Sequence, residues 1–363
     1  MKREGEAPID AESRDSRGQD YITIDTKERY GRGLRWKLGL DTTPCIRSRK
    51  GKRCSFCGFL NHHGQVSPHE VGQVFNSVFR NGNLSDVHRI EIYVSGSFFD
   101  DEEVSFNSRL EIIESIAETG IEEVVLESRP EFTTEENLQA LANAIEPGRI
   151  TIAVGVETTD DNLRRGLSKD FSMKDLTGSM DRIARAGMNF QAYLLLKPPA
   201  ISSDRDAVID VIQSSRTIMG LTRRMNCTLT LAIQPFFLAR NSAVAQEALK
   251  GGHIRPPWLY TVALTLKLLD AMRARDGMGC RVVLGNEVDN VDIVLASSNY
   301  GDDGSVCSCS EGIREFLRAV NISRDKLEES VDSVLGSQCR CKTAWQREIG
   351  STFGESLSVG QSA

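Results

Sequence analysis

The sequence predicts an α/β protein: a partial TIM-like (β/α)6 barrel with a C-terminal Cys-rich extension. Three observations carry that expectation. Short apolar runs alternate with amphipathic stretches, and repeated strand–helix units imply a parallel sheet with right-handed crossovers. Several runs are nearly continuously apolar, as strands covered on both faces are. Six such strands are strong and a seventh is weaker, fewer than a closed eight-fold barrel requires. At 363 residues, 40% apolar and 26% charged, the chain has the composition of a globular protein with a sizeable core. An α/β barrel can use most of that length as one domain.

Taken in order, residues 1–20 are polar, lack the apolar core of a signal peptide and read as a flexible segment. "LRWKLGL" (34–40) is the first strand, and a cysteine loop follows it. "HEVGQVFNSVFRNG" (69–82) puts Val71, Val74, Phe75 and Phe79 on one helical face. "RIEIYVSG" (89–96) is a strand, "SRLEIIESIAETG" (108–120) a helix and "EEVVLES" (122–128) a strand. "TTEENLQALANAI" (133–145) opens a helix with Thr133 and Glu136 at capping-box spacing. "RITIAVGVE" (149–157), "NFQAYLLLK" (189–197) and "MNCTLTLAIQP" (225–235) are buried strands, and "RVVLG" (281–285) is the weak one. Helices over about 173–187, 205–218 and 257–276 lie between or after them. The expected division is a barrel over 21–290, a Cys-rich metal-binding extension over 291–350 and a flexible tail over 351–363.

The net charge of -7 shows no whole-protein basic excess of the kind that favours nucleic acid, although Arg47 to Arg53 is a local basic stretch. No run of about 18 apolar residues argues for a membrane span. The expected location is cytoplasmic, where thiols stay reduced. Nine cysteines then need a use. Cys227 and Cys280 are isolated and read as small buried apolar residues. The other seven cluster as Cys45, Cys54, Cys57 and as Cys307, Cys309, Cys339, Cys341, a pattern of metal ligands or redox groups in a reducing compartment.

"CIRSRKGKRCSFCGF" spaces the first three as C-x8-C-x2-C. They follow the first strand, and barrel ligands collect beyond strand C-termini. Structural zinc takes four protein ligands, a set that His62 or His63 would complete. A disulfide with a spare thiol is disfavoured by the compartment. A [4Fe–4S] cluster held through three irons leaves one iron open. Such an iron can chelate the amino and carboxylate groups of S-adenosylmethionine. Phe56 is placed to shield the cluster or touch the adenine, with plain packing the alternative.

At these residues the chain resembles a known family. "CSFCGFLN" with its upstream cysteine is similar to the cluster loop of radical S-adenosylmethionine (radical SAM) enzymes with a long first spacing. From about Leu34 to Trp345 the order of blocks resembles the radical subunits of archaeosine synthases, and more distantly the Elongator-type catalytic domain. The blocks are "GSFFDDEEV" (96–104), "ESRPEFTTEENL" (127–138), "VGVETTDDNLR" (154–164), "LLLKPP" (194–199), "IRPPWLY" (254–260) and a terminal C-x-C…C-x-C…W. The resemblance implies a radical SAM barrel, a cluster on Cys45, Cys54 and Cys57, S-adenosylmethionine, and a low-potential electron donor.

Other candidates sit at strand ends. Gly96 and Ser97 lack bulk, so their amides are expected to meet the methionine group of the cofactor, an ordinary turn being the alternative. Glu127 is expected to accept ribose hydroxyls and Arg129 to pair with the cofactor carboxylate, unless Arg129 forms a rim pair with Glu131. Glu157 is a second ribose or substrate candidate. Lys197 is the catalytic candidate, or a surface lysine fixed by Pro198. Gln234 is the substrate candidate. After it, "PFFLARNSAV" is apolar where the archaeosine-type family has a polar segment. On that departure the expectation leans toward a small-molecule substrate, a sugar or natural-product intermediate undergoing epimerisation or rearrangement. A modified deazaguanine nucleoside in tRNA, with lyase chemistry, is the alternative, and a zinc-binding interaction module is the non-enzymatic reading. Cys307, Cys309, Cys339 and Cys341, on two short hairpin-like pieces, suit a closed all-cysteine zinc site, or a second cluster on the same ligands.

Overall fold

The computed structural model describes residues 21–58, 65–250, 254–275, 277, 279–285, 293–301 and 303–350. His62 and His63, the histidines of the zinc alternative, lie outside the described residues. The chain begins with an antiparallel hairpin, β1 (Ile22–Tyr30) and β2 (Gly33–Leu40), turning at Gly31 with φ +58. There follow α1 (Ile46–Arg49), α2 (Val71–Phe79), β3 (Val87–Tyr93), α3 (Phe106–Ala117), β4 (Glu123–Glu127) and α4 (Glu135–Ala144). Next come β5 (Ile150–Glu157), α5 (Asp161–Gly166), α6 (Met173–Arg185), β6 (Asn189–Leu196), α7 (Asp204–Met225) and β7 (Leu229–Pro235). The chain continues through β8 (Leu238–Ala239), α8 (Ala243–Leu249), α9 (Leu259–Arg275), β9 (Arg281–Leu284), β10 (Ile293–Leu295), α10 (Cys309–Arg318), α11 (Arg324–Gly336) and α12 (Arg340–Ile349).

One eight-stranded sheet runs β1-β2-β3-β4-β5-β6-β7-β9, and β8 pairs only with β10. From β2 onward every pairing in the large sheet is parallel. The seven expected strands are therefore present, and β1 is an eighth that the apolar-run criterion missed. Its alternate residues Asp25, Lys27 and Arg29 are exposed, so this edge strand carries no continuous apolar run. The helix expected to open at a capping box on Thr133 instead starts one residue later. Thr134 accepts the Asn137 amide, while the Thr133 hydroxyl donates to the Pro130 carbonyl at 2.8 Å.

The strands alternate more than their apolar look suggests. Trp36, Leu38, Ile90, Ile92, Leu126 and Ile152 belong to the main apolar core. The residues between them, among them Arg35, Lys37, Arg89, Glu91 and Tyr93, face a cavity inside the curve of the sheet. Buried charges need partners, and these have them. Arg89 donates to Glu91 at 2.7 Å and to Gln191 at 2.9 Å, and pairs with Glu123 at 2.5 Å. Burial acts to raise the Glu91 pKa, but Arg89 and Arg35 outweigh it and hold it at about 2.

The sheet's two edges, β1 and β9, share no ladder among the described residues. Asn321, between α10 and α11, spans that seam. Its Oδ1 accepts the Leu284 amide at 2.8 Å, its Nδ2 donates to the Leu284 carbonyl at 2.7 Å, and its carbonyl accepts the Gly31 amide at 3.2 Å. An asparagine side chain thus occupies the hydrogen-bonding edge that a further strand would take. The C-terminal extension is integrated with the barrel, since Ile313, Leu317, Val331, Cys341 and Trp345 join the same core. No helix among the described residues is long and apolar enough to cross a membrane.

Candidate functional site

Cys45, Cys54 and Cys57 line one cavity of about 280 Å³, together with Phe56, Gly96, Glu127, Arg129, Glu157 and Gln234. Ser97 and Lys197 do not line it. The cysteine loop is fixed at several points. The Cys45 sulfur accepts the Ser48 amide at 3.4 Å at the start of α1. Arg47 pairs with Asp170 and donates to the Ser168 carbonyl at 3.0 Å. Arg49 donates to Asp100 at 2.8 Å and pairs with Glu102 at 3.0 Å. Two cations of the basic stretch are therefore anchors, whereas Lys50, Lys52 and Arg53 are exposed. The Ser55 amide donates to the Leu167 carbonyl at 3.2 Å, and the Ser55 carbonyl accepts the Val244 amide at 3.1 Å.

Phe56 packs on a cluster of Leu167, Leu195, Phe236, Leu238, Val244 and Ala245. That contact accounts for the apolar segment after Gln234: Phe236 and Leu238 form the floor on which the cysteine loop rests. Phe236 and Phe237 of the same segment also line the cysteine cavity, so the segment both supports the loop and faces the cavity.

Gly96 has a steric role. A Cβ there would stand 2.2 Å from the Cys45 Cβ and 3.2 Å from its Cα, so any side chain would push the cysteine loop away. The Ser97 amide donates to Glu103 at 3.0 Å and the Ser97 hydroxyl meets Ser128 at 2.9 Å. Its amide is already engaged, unlike the open donor expected from the sequence. Glu103 itself is raised to about 8 by burial, Asp100 adding to the effect.

Burial likewise pushes Glu127 up to about 7; Glu91 and Glu157 add to the rise, while Tyr193 and Lys169 oppose it. Glu157 ends β5 with φ +63, a left-handed conformation uncommon outside glycine, and pairs with Lys169 at 2.5 Å. Arg129 forms the rim pair with Glu131 at 2.5 Å and a second pair with Asp170 at 2.9 Å. Lys169, Asp170 and Tyr193 were not singled out in the sequence. The first two lie in an ordinary-looking "LSKDF" connection, and Tyr193 sits inside an apolar run, where only its inward register marks it. Lys197 is buried and donates to Asp204 at 2.5 Å; Asp204 also accepts the Trp258 amide at 2.9 Å. It faces a separate cavity with Arg255 and Tyr300, so it is neither the surface lysine of the bland reading nor a wall of the cysteine cavity.

Gln234 lies where that cavity meets a neighbouring one of about 320 Å³ along the β1–β9 seam; Arg35, Lys37, Phe237 and Gly285 line both.

The second cysteine group is compact. Cys307, Cys309, Cys339 and Cys341 bring their sulfurs within 4.8 Å of one another, and they form the only such group of three or more metal-ligating residue types among the described residues. Cys309 opens α10, while Cys339 caps α12 and Cys341 lies in its first turn. Cys307 follows a short hairpin in which Tyr300 and Val306 form an antiparallel bridge and its amide donates to the Asn299 carbonyl at 2.7 Å, whereas helix starts present the other three thiols. Asn299 Nδ2 donates to the Cys309 sulfur at 3.6 Å, and the Tyr260 hydroxyl lies 3.6 Å from Cys341.

No family model matches the chain. It is 25% identical over 304 residues to the archaeosine synthase subunit beta of Methanosarcina acetivorans, covering 83% of this chain and 81% of that protein. The protein of the same name from Thermococcus kodakarensis is 28% identical over 232 residues, 62% of this chain and 69% of that one. The crystal structure of SuiB from Streptococcus suis superposes with a TM-score of 0.49 at 10% identity over 68% of this chain and 48% of SuiB, so the chain spans about half of SuiB's length. The three-cysteine loop opens on the barrel cavity, and along about four-fifths of its length the chain is similar to an archaeosine synthase beta subunit.

Proposed function

We propose that Cys45, Cys54 and Cys57 hold a [4Fe–4S] cluster that binds S-adenosylmethionine, and that the enzyme acts on a modified deazaguanine nucleoside in tRNA. The observation that carries the cofactor assignment is the spread of the loop sulfurs around one cavity. They are not gathered within 4.8 Å as the C-terminal quartet is. Ligands of one zinc ion at about 2.3 Å each cannot stand farther apart than about 4.6 Å, whereas sulfurs on three irons of one cluster stand on different atoms. When bound and reduced, the cluster supplies an electron that cleaves S-adenosylmethionine and releases a 5′-deoxyadenosyl radical able to abstract hydrogen from an unreactive C–H bond.

The chain's own residues bind, orient and exclude water. Glu127 and Glu157, at the ends of β4 and β5, are placed to accept ribose hydroxyls. Arg129 offers a guanidinium to the cofactor carboxylate from its position beside Cys54. Phe56 closes the cavity against the apolar cluster beneath the loop. Replacing Arg129 by alanine is expected to weaken S-adenosylmethionine binding by roughly 1.5–3 kcal/mol, the contribution of a hydrogen bond to a charged group, with iron content unchanged. Equal affinity in an equilibrium binding measurement would confine Arg129 to its pairs with Glu131 and Asp170.

The tRNA reading is supported by the relatives' name and coverage and by the exposed Lys50, Lys52 and Arg53 beside the cavity. Binding of tRNA carrying the modified base should fall steeply with salt, because phosphate contacts release counterions. Substituting Lys50→Glu, Lys52→Glu and Arg53→Glu together should flatten that slope. Salt-insensitive or absent tRNA binding, with radical cleavage stimulated instead by a small metabolite, would return the assignment to a small-molecule substrate.

A further inference from the structure

A separate cavity of about 530 Å³ lies beyond the end of β6, walled by Lys197, Pro199, Phe236, Ile254, Arg255 and Tyr300. Arg255 is held in place from several sides. Its guanidinium lies 4.6 Å from the Tyr300 ring centroid and 5.0 Å from that of Trp258, two rings packed edge to face at 5.2 Å. Its Nη2 donates to Glu348 at 2.6 Å, and Glu348 also accepts the Trp258 indole N–H at 2.8 Å. The other two donor atoms, Nε and Nη1, make no hydrogen bond among the described residues. The Tyr300 hydroxyl is likewise without a partner there, on a side chain only 4% exposed, a placement that costs stability until something supplies an acceptor. The charge of Lys197 is already met by Asp204, and no acidic residue among the described ones lines the cavity. Much of the remaining wall is apolar, including Val306, which is 52% exposed.

Resting on the tRNA reading above, we propose that this cavity is a second nucleotide site, holding a neighbour of the nucleotide in the cysteine cavity. The neighbour's phosphate sits on Arg255 and the Tyr300 hydroxyl, and its sugar and base pack against Pro199, Ile254 and Val306. An arginine fixed against aromatic rings, with donors left open, suits the bidentate recognition of phosphate oxygens. The hydroxyl adds a further donor, and a phosphate carries enough acceptor oxygens to meet them all. Phe236 lines this cavity and the cysteine cavity alike, so the two sites share a wall and one strand can reach both. Free inorganic phosphate has the same anion chemistry but no body to fill the apolar part of the cavity.

The test uses the reconstituted enzyme with S-adenosylmethionine bound, and three probes: tRNA carrying the modified base, the free modified nucleoside and inorganic phosphate. Tyr300→Phe should weaken tRNA binding by about tenfold or more, as for a lost hydrogen bond to a charged group. Its thermal midpoint should not fall, since the hydroxyl it removes has no partner in the protein. It removes no charge, so the salt dependence should keep the parent slope. Arg255→Gln should weaken tRNA binding and also lower that slope by about one. Val306→Glu, at an exposed position, should weaken binding by repelling the phosphate. None of the three should change the affinity for the free nucleoside, which carries no phosphate. Parent-like tRNA affinity in Tyr300→Phe and Val306→Glu overturns the proposal. Inorganic phosphate bound by the parent and lost in Tyr300→Phe, with tRNA affinity unchanged, would make this a free-anion site and overturn the RNA occupant. A parent that binds no tRNA defeats the tRNA reading and this proposal together, whereas steep, salt-sensitive binding that the variants match defeats this site alone.

Discussion

A Cys54→Ala protein is expected to form no measurable 5′-deoxyadenosine from S-adenosylmethionine under anaerobic reducing conditions, and Cys45→Ala and Cys57→Ala should behave identically. On the proposed assignment each thiolate would bind one iron of a single cluster, so losing any one would remove the function of the other two. The triple variant should then be no worse than any single one, the non-additivity of residues that act as a unit. Gly96 extends the argument to a residue with no ligand atom. Gly96→Val should lower iron content because its side chain would occupy the space of the Cys45 Cβ, 2.2 Å away, while the barrel behind it stays folded. Parent-level 5′-deoxyadenosine from Cys54→Ala, measured by chromatography, would remove the cluster from this loop.

Much of the architecture was legible because parallel strands and their helices announce themselves by local pattern. All seven expected strands formed. What the pattern hid was long-range: β1 alternates and pairs only at an edge, and Asn321 substitutes for a strand across the seam from 37 residues beyond Leu284. The site was legible only in part for a similar reason. Cysteine spacing is local and marked both cysteine groups. The partners that decide what each side chain is free to do come from distant segments: Glu103 engages the Ser97 amide, Asp204 holds Lys197, and Phe56 of the cysteine loop caps Phe236 and Leu238. Burial also conceals function, since Tyr193 and Gln191 look like interruptions in an apolar run until the register shows that they face the lumen.

The far cysteines offer the second large effect. Four thiolates around one zinc ion at about 2.3 Å stand about 3.8 Å apart. Here the pairs Cys307–Cys339 and Cys309–Cys341 are 3.5 and 3.4 Å apart, with all four sulfurs within 4.8 Å. A cluster of two or four irons would spread ligands bound to different irons more widely, so the geometry favours a single ion, and the closed four-thiolate set favours structural zinc over a catalytic metal. The Asn299 amide and the Tyr260 hydroxyl beside two of the sulfurs suit thiolate stabilisation from the second layer. With a metal bound, the consequence would reach the barrel, because α10 and α11, which run between the two cysteine pairs, carry Asn321 onto the open edge of β9. In a protein lacking Cys45, Cys54 and Cys57, metal analysis should find near-stoichiometric zinc and no brown colour. Cys309→Ser should then release the zinc, lower the thermal midpoint and speed hydrogen exchange at the Leu284 and Gly31 amides, both bonded to Asn321. Metal-site loss of this kind removes folding free energy directly, against a total of roughly 5–15 kcal/mol for a folded domain. Iron and sulfide retained in the triple variant would instead make the quartet a second cluster, and unchanged exchange at Leu284 would uncouple it from the seam.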